Sequence, residues 1–440
     1  LCVLAGDYRG ALNTQLRLQS STPRFVTIRA FVTGAESVAV TVDGEWQTQA
    51  GTPMLAVLSG VVLTLRQIAF VRASAASGPA LVVRNATLEM DSCALRSHYA
   101  GAVAVQSQAH LSLLRCDFSS NLAETGGALS LSGASFAIVV GTRFFNNTAK
   151  QAGGAVVASG GAALTVENSV FTDNRVLTDS LNNDCSEWHT DPLPSGQLVT
   201  WRVRVASPNP LNRQGGSLHV EQSGTTLLLR RSLVTRSFAP LGGGVSVSEG
   251  AHAILERSSI VANRATSGGG LFASASAVEL TDSTLRGNSA SGGTGAAAMV
   301  QDRSALTLLR ATVADNVGDR AGGLLLVTQC TLIMRDSVIA NNTSHSNMGG
   351  LYLQELTTAQ VFDSVIAGQS LVFALELLHL MTAQTTRRRM SLVSTPWIAQ
   401  SRRLSAAPSR ATSQTTSAAV SMRSPRPKSC ARLPCRVCAE

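Results

Sequence analysis

Long apolar runs, aromatic residues and lysine are all scarce in this chain of 440 residues, and each scarcity excludes something. No stretch reaches the roughly 18 consecutive apolar residues that a membrane helix needs. The best attempt, Leu371 to Met381, is short and holds Glu376 and His379. Aromatics make up 4% of the chain against 44% hydrophobic residues, so the core must be built from Val, Leu, Ala and Ile, which suits narrow stacked strands. Lysine occurs only at Lys150 and Lys428. The net charge of +9 is uneven: of 36 Lys/Arg and 27 Asp/Glu, eleven and one fall in residues 381–440. That leaves 25 against 26 in residues 1–380, a net of −1, so the body of the chain offers no phosphate-binding surface and specific nucleic-acid binding is not expected. Metal ligands are scarce too. The C-x-x-C pair Cys435 and Cys438, with Cys430 nearby and no adjacent His, is an incomplete zinc site, and no metal centre is expected.

What is present is a repeat. The segment Cys116-Asp117-Phe118-Ser119-Ser120-Asn121 returns as Thr142 to Asn147, Ser169 to Asn174, Ser258 to Asn263, Ser283 to Asn288, Ala311 to Asn316 and Ser337 to Asn342. Weaker copies run from Cys93 to His98, Ser232 to Ser237 and Ser364 to Gln369, and the earliest from Ile68 to Ala73. The apolar residue of each copy is Phe70, Leu95, Phe118, Phe144, Phe171, Val234, Ile260, Leu285, Val313, Ile339 and Ile366. The spacing holds near 26 residues except between Phe171 and Val234, where it is 63. A fixed period of this size marks a repeat architecture.

A glycine turn and another strand follow each phrase, as in Gly126-Gly127-Ala128-Leu129, Gly153-Gly154-Ala155-Val156 and Gly322-Gly323-Leu324. A third alternating stretch comes next, such as Phe136 to Val139. Period-two alternation means strand, and no helical segment separates the strands, so βαβ units are excluded. The sequence therefore predicts an all-β, right-handed parallel β-helix, a solenoid of about eleven rungs with three short strands each. Rungs stack at about 4.8 Å. Asn121, Asn147, Asn174, Asn263, Asn288, Asn316 and Asn342 are expected to form an internal ladder that satisfies turn amides. The Ser/Thr/Cys five positions earlier is expected to form a second, small-residue ladder.

The predicted organisation is an N-terminal cap with first irregular rungs over 1–53, the β-helix over 54–370, a C-terminal capping helix over 371–384, and a disordered basic Ser/Arg/Pro-rich tail over 385–440. Leu1 is not Met, which suggests a fragment. Residues 175–214 interrupt one rung and hold Cys185, Trp188, His189, Asp191 and Trp201. That insertion reads either as a tolerated surface loop or as a binding loop on a rigid scaffold.

The pairing of Gly-Gly-Ala-Leu/Val with Phe118-x-x-Asn121, Phe144-x-x-Asn147 and Phe171-x-x-Asn174 resembles the repeat of chlamydial polymorphic outer membrane proteins, and pectin-lyase-like β-helices more broadly. The resemblance implies a surface-exposed adhesin passenger. The basic C-terminus shows no barrel strands, a departure from that family. The catalytic signatures of β-helix polysaccharide enzymes are otherwise missing: there is no Asp-Asp pair and no Gly-His-Gly.

Three candidate sites remain. Cys93 and Cys116 share one phrase position on adjacent rungs, as a candidate disulfide or as stacked buried thiols. Arg257, Asp282, Arg310, Asp336 and Asp363 fall in one column on five successive rungs. The alternation from Arg257 to Asp336 reads first as a solvated salt-bridge stripe of little energetic weight. The sharper reading takes Asp336, Asp363 and Arg310 as weak catalytic candidates, because two close carboxylates can share a proton, bind Ca²⁺ or act as acid and base. The third is the loop carrying Trp188, His189, Asp191 and Trp201. The favoured expectation is a non-catalytic extracellular or cell-surface scaffold that binds glycans or surface proteins. The alternative is a polysaccharide lyase or glycoside hydrolase.

Overall fold

The computed structural model describes residues 53–73, 78–177 and 213–369 almost throughout, parts of 2–44, and the strands 188–192, 198–202 and 391–393. The predicted capping helix lies outside the described residues, and so does the basic tail except for Ser391–Val393, which pairs in parallel with Val365–Ala367 where disorder was expected. Strands stack into three long parallel sheets of 13, 14 and 12 strands. Sheet 1 takes the five-residue strands, such as Thr87–Asp91, His110–Leu114 and Phe136–Val140, paired residue for residue. Sheet 2 holds the repeat phrase. All eleven copies stand in sequence order from Ile68–Val71 to Val365–Ala367, with Gly6–Arg9 and Val40–Asp43 ahead of them. Sheet 3 follows the glycine turns, as in Val103–Gln106 and Leu129–Leu131. This is the right-handed parallel solenoid that the period implied.

Burial follows the alternation. In sheet 1, Leu88, Met90, Leu111 and Leu113 point inward between exposed neighbours. Sheet 2 contributes one inward side chain per rung. Phe118, Phe144 and Phe171 stack along the axis with ring centroids 5.1 and 4.6 Å apart. Phe171 pairs directly with Val234, so the 63-residue gap leaves the stack unbroken.

Two features depart from the expected rung. A fourth short strand follows the ladder asparagine, as in Leu122–Thr125, Thr148–Ala152 and Arg264–Ala265. These strands have two to five residues and no alternation, which hides them in the sequence. Sheet 3 is buried on both faces, since the glycine turn folds back over its outer side. A Cβ on Gly126 would sit 2.9 Å from Val157 Cγ1, and one on Gly242 would sit 3.0 Å from Phe272 Cβ. Double burial explains continuous apolar runs such as Leu324-Leu325-Leu326.

Both ladders form. Each ladder asparagine is buried with no exposure. Asn288 donates from Nδ2 to the Ile260 carbonyl at 2.9 Å, while its Oδ1 accepts from the Asn263 amide at 3.0 Å. Asn121, Asn147, Asn174, Asn316 and Asn342 each donate in the same way to a carbonyl of an earlier rung. Where the repeat weakens, other groups fill the role. His98 does so with both ring nitrogens, and Gln369 Oε1 accepts from the Asn342 amide at 3.0 Å. Beside the insertion, Ser217 accepts from Asn174 and meets Ser237 at 2.6 Å. In the small-residue ladder, the Thr142 amide donates to Ser169 and the Ser337 amide to Ser364.

Candidate functional site

The charge column occupies a turn between sheets 1 and 2 where the backbone is left-handed. Arg257, Asp282, Arg310, Asp336 and Asp363 have φ of 49, 51, 48, 48 and 44°. The same column includes Asn168 and Gly141 on earlier rungs, also at positive φ. Asp, Asn and Gly are the residues that tolerate this region best. Local geometry alone therefore suits aspartate here, although the same turn also holds Arg115 and Arg231. Arg310 grips Asp282 through two bonds, Nε to Oδ1 at 2.6 Å and Nη2 to Oδ2 at 3.0 Å. The guanidinium holds the Asp282 carboxyl below the usual carboxylate range. Asp336 and Asp363 lie exposed on the next two turns, and neither makes an ion pair among the described residues.

Cys93 and Cys116 are free thiols in the small-residue ladder, each 2% exposed. They stand in register, because the following residues Ala94 and Asp117 pair. Each sulfur lies beside the other, and this neighbour lowers the Cys93 thiol and raises that of Cys116.

The insertion is shorter than 175–214. Arg175–Val176 still pairs with Thr148 and Ala149, and Gln214 bridges Ala152 and Leu241. Arg213 closes the neck by donating from Nη1 to the Leu177 carbonyl at 2.7 Å. Beyond it, Trp188–Pro192 and Leu198–Arg202 form an antiparallel hairpin that sets His189 opposite Trp201 and Asp191 opposite Val199. The rest of the loop lies outside the described residues.

A further surface escaped the sequence reading. On the outer face of sheet 1, where polar residues are expected, His110 and Phe136 stand in register with ring centroids 5.9 Å apart. Beside them, Leu114 is 36% and Ile138 38% exposed, and Val140 is half-buried. Of the charges beside this platform, Arg115 pairs with Asp91 at 2.7 Å and Arg231 with Glu167, while Glu89 accepts from the Thr64 hydroxyl at 2.9 Å. The signal was available, since Phe136 and Ile138 alternate with the buried Ala137 and Val139 and so must point outward.

A family model described as a right-handed beta helix region matches residues 217–375. No curated protein sequence matches the chain. Among solved structures, a mutant of the periplasmic alginate epimerase AlgG is 10% identical over 79% of either chain, with a TM-score of 0.48. The A-module of the mannuronan C-5 epimerase AlgE6 of Azotobacter vinelandii is 9% identical over 78% of this chain and 87% of its own, at 0.35. The catalytic domain of a GH87 alpha-1,3-glucanase is 10% identical over 84% and 61%, at 0.33. The chain is thus a right-handed parallel β-helix, which the sheet topology shows along its length and the family match supports over residues 217–375.

Proposed function

We propose that this solenoid is a non-catalytic binding rod of the extracellular space or cell surface, with glycan chains or surface proteins as its partners. The platform on sheet 1 carries the reading. His110, Leu114 and Ile138 are exposed, and Phe136 and Val140 stand half-buried among them, on two adjacent rungs. Soluble proteins seldom leave apolar side chains clustered outward without a partner. Parallel strands hold them at a fixed pitch of about 4.8 Å, so the surface is rigid before anything binds. Ring faces of this kind stack on the apolar faces of sugars or on a partner's side chains. Binding to a glycan array, or to a surface protein, should be lost in Phe136→Ala while the melting temperature holds. Array and pull-down signals equal in both proteins would reject the platform as the site.

A second reading, a polysaccharide lyase or glycoside hydrolase, draws on the exposed carboxylates of Asp336 and Asp363 on successive turns beyond Arg310. Such a pair suits acid–base work or a bridging Ca²⁺. Incubation with polygalacturonate and alginate, with and without Ca²⁺, separates the two. Turnover that disappears in Asp336→Ala or Asp363→Ala would replace the binding rod with an enzyme.

A further inference from the structure

We infer that Cys93 and Cys116 are a built oxidation site, closing into a disulfide that clamps two neighbouring rungs when the chain folds in the presence of a small-molecule disulfide. The inference stands apart from the proposed function, since it needs no ligand.

Position comes first. The residues after the two cysteines pair in a parallel ladder, and the Asp117 amide donates to the Cys93 carbonyl at 2.9 Å. In-register neighbours on adjacent parallel strands lie about 4.8 Å apart. That falls within the Cα separation of roughly 4.4–6.8 Å that a disulfide spans. Both side chains point inward into the core on the same side. The strand spacing therefore already suits the bond.

The surrounding ladder supplies the second argument. Elsewhere in this column an amide donates to a hydroxyl of the next rung, as Cys116 does to Thr142 at 3.3 Å and Ser232 to Ser258 at 3.2 Å. At the Cys93–Cys116 step the acceptor is sulfur, which is a weak one. The two thiols donate to the Leu65 and Met90 carbonyls only at 3.5 Å. A covalent bond would replace the weakest polar link in the column with its strongest. Cys330 serves as the internal control. Its neighbours in the ladder between sheets 3 and 1 are Ser304 and Thr357, so it has no thiol to meet.

The chemistry balances with a disulfide such as oxidised glutathione. One cysteine thiolate attacks the reagent's sulfur and releases one reduced glutathione. The other cysteine gives its proton to solvent and displaces the second. One S–S bond replaces two S–H bonds, and the reagent is reduced. Burial at 2% exposure confines the reaction to folding or to opening of these rungs, and shields the product afterwards.

The test refolds the full chain from the reduced state in a glutathione redox buffer, alkylates free thiols, and maps tryptic peptides. Cleavage after Arg84, Arg96, Arg115 and Arg143 places Cys93 in peptide 85–96 and Cys116 in peptide 116–143. The expected result is these two peptides linked, about 2 Da lighter than their sum and separated by reductant. The Cys330 peptide should be alkylated, and the oxidised protein should melt higher than the reduced one. Cys93→Ser restores a hydroxyl to the ladder, so it should fold and melt identically with and without reductant. Recovery of both peptides singly alkylated from folded protein, or either linked to another cysteine, would overturn the inference.

Discussion

His98 offers the sharpest test of the asparagine ladder. It stands where most rungs carry asparagine and is 1% exposed. The Ala73 amide donates to Nδ1 at 3.1 Å, and Nε2 donates to the Phe70 carbonyl at 3.0 Å. One ring nitrogen accepts and the other donates, as the oxygen and nitrogen of an asparagine side chain would. The arrangement works only for neutral imidazole, because a second proton on Nδ1 would face the Ala73 N–H. Burial pushes the pKa down from 6.5 to about 3, against smaller opposing effects of the Phe70 carbonyl and the Asp43 carboxylate. Asp43 is itself paired with Arg72. In the unfolded chain the imidazole titrates near 6.5, so below that pH the unfolded state takes up the proton and the native rung does not. Stability is full above pH 6.5 and is lost as the pH falls toward 3. At 1.36 kcal/mol per unit, the loss is about 2 kcal/mol at pH 5 and about 4 kcal/mol at pH 3. His98→Asn keeps an acceptor for Ala73 and a donor for Phe70 but cannot titrate. Amide exchange in peptide 85–96, corrected for its intrinsic rate, should show the variant gaining about 2 kcal/mol on the wild type between pH 7.5 and pH 5. The subtraction removes all other titrating groups. A gap that is the same at both pH values would refute the reasoning.

Asn288→Ala strands the Asn263 amide and the Ile260 carbonyl, both buried, and should cost about 3–5 kcal/mol in urea unfolding. Phe144→Ala opens a void between Phe118 and Phe171 and should cost about 3–5 kcal/mol, read as a lower urea midpoint. Gly154→Ala puts a Cβ 2.1 Å from the Gly216 carbonyl and 2.6 Å from the Arg175 amide, both backbone, so expression of folded protein should collapse. Gly161→Ala has open space at φ of +76° and should cost only about 1–2 kcal/mol of backbone strain, a few degrees of melting temperature.

The contrast between those glycines shows what the sequence could and could not tell. Pairs such as Gly153-Gly154 recur with the period, so their role as turns was legible. Their further role, as the layer that covers the outer face of sheet 3, was not. Val157, His219, Ser246 and Phe272 share one outward column there, yet all are buried. Period-two reading assigns such residues to solvent, because it knows the strand but not what folds back over it. The asparagine ladder was readable for the opposite reason. It requires one residue type at one position, and the fold repeats the requirement on every rung. The ladder's substitutes are harder to see. Ser217, from the glycine turn ahead of Leu218–Glu221, completes the ladder beside the insertion, and only three-dimensional proximity reveals it.

The same distinction decides how the candidate sites weigh against each other. The aspartates at 282, 336 and 363 sit in a backbone conformation that selects Asp, Asn and Gly for local reasons. The column also holds Arg115, Arg231, Arg257 and Arg310 at the same positive φ, so three aspartates among them need no selection for chemistry. Its bidentate Arg310–Asp282 pair is what adjacent rungs do with opposite charges. On sheet 1 the bias runs the other way. Outward positions in a half-exposed strand favour polar residues, so Phe136, Leu114 and Ile138 stand against the local preference. In a repeat the informative residue is the one the rung does not ask for. By that criterion the apolar platform outranks the carboxylate pair as the place where this rod meets its partner.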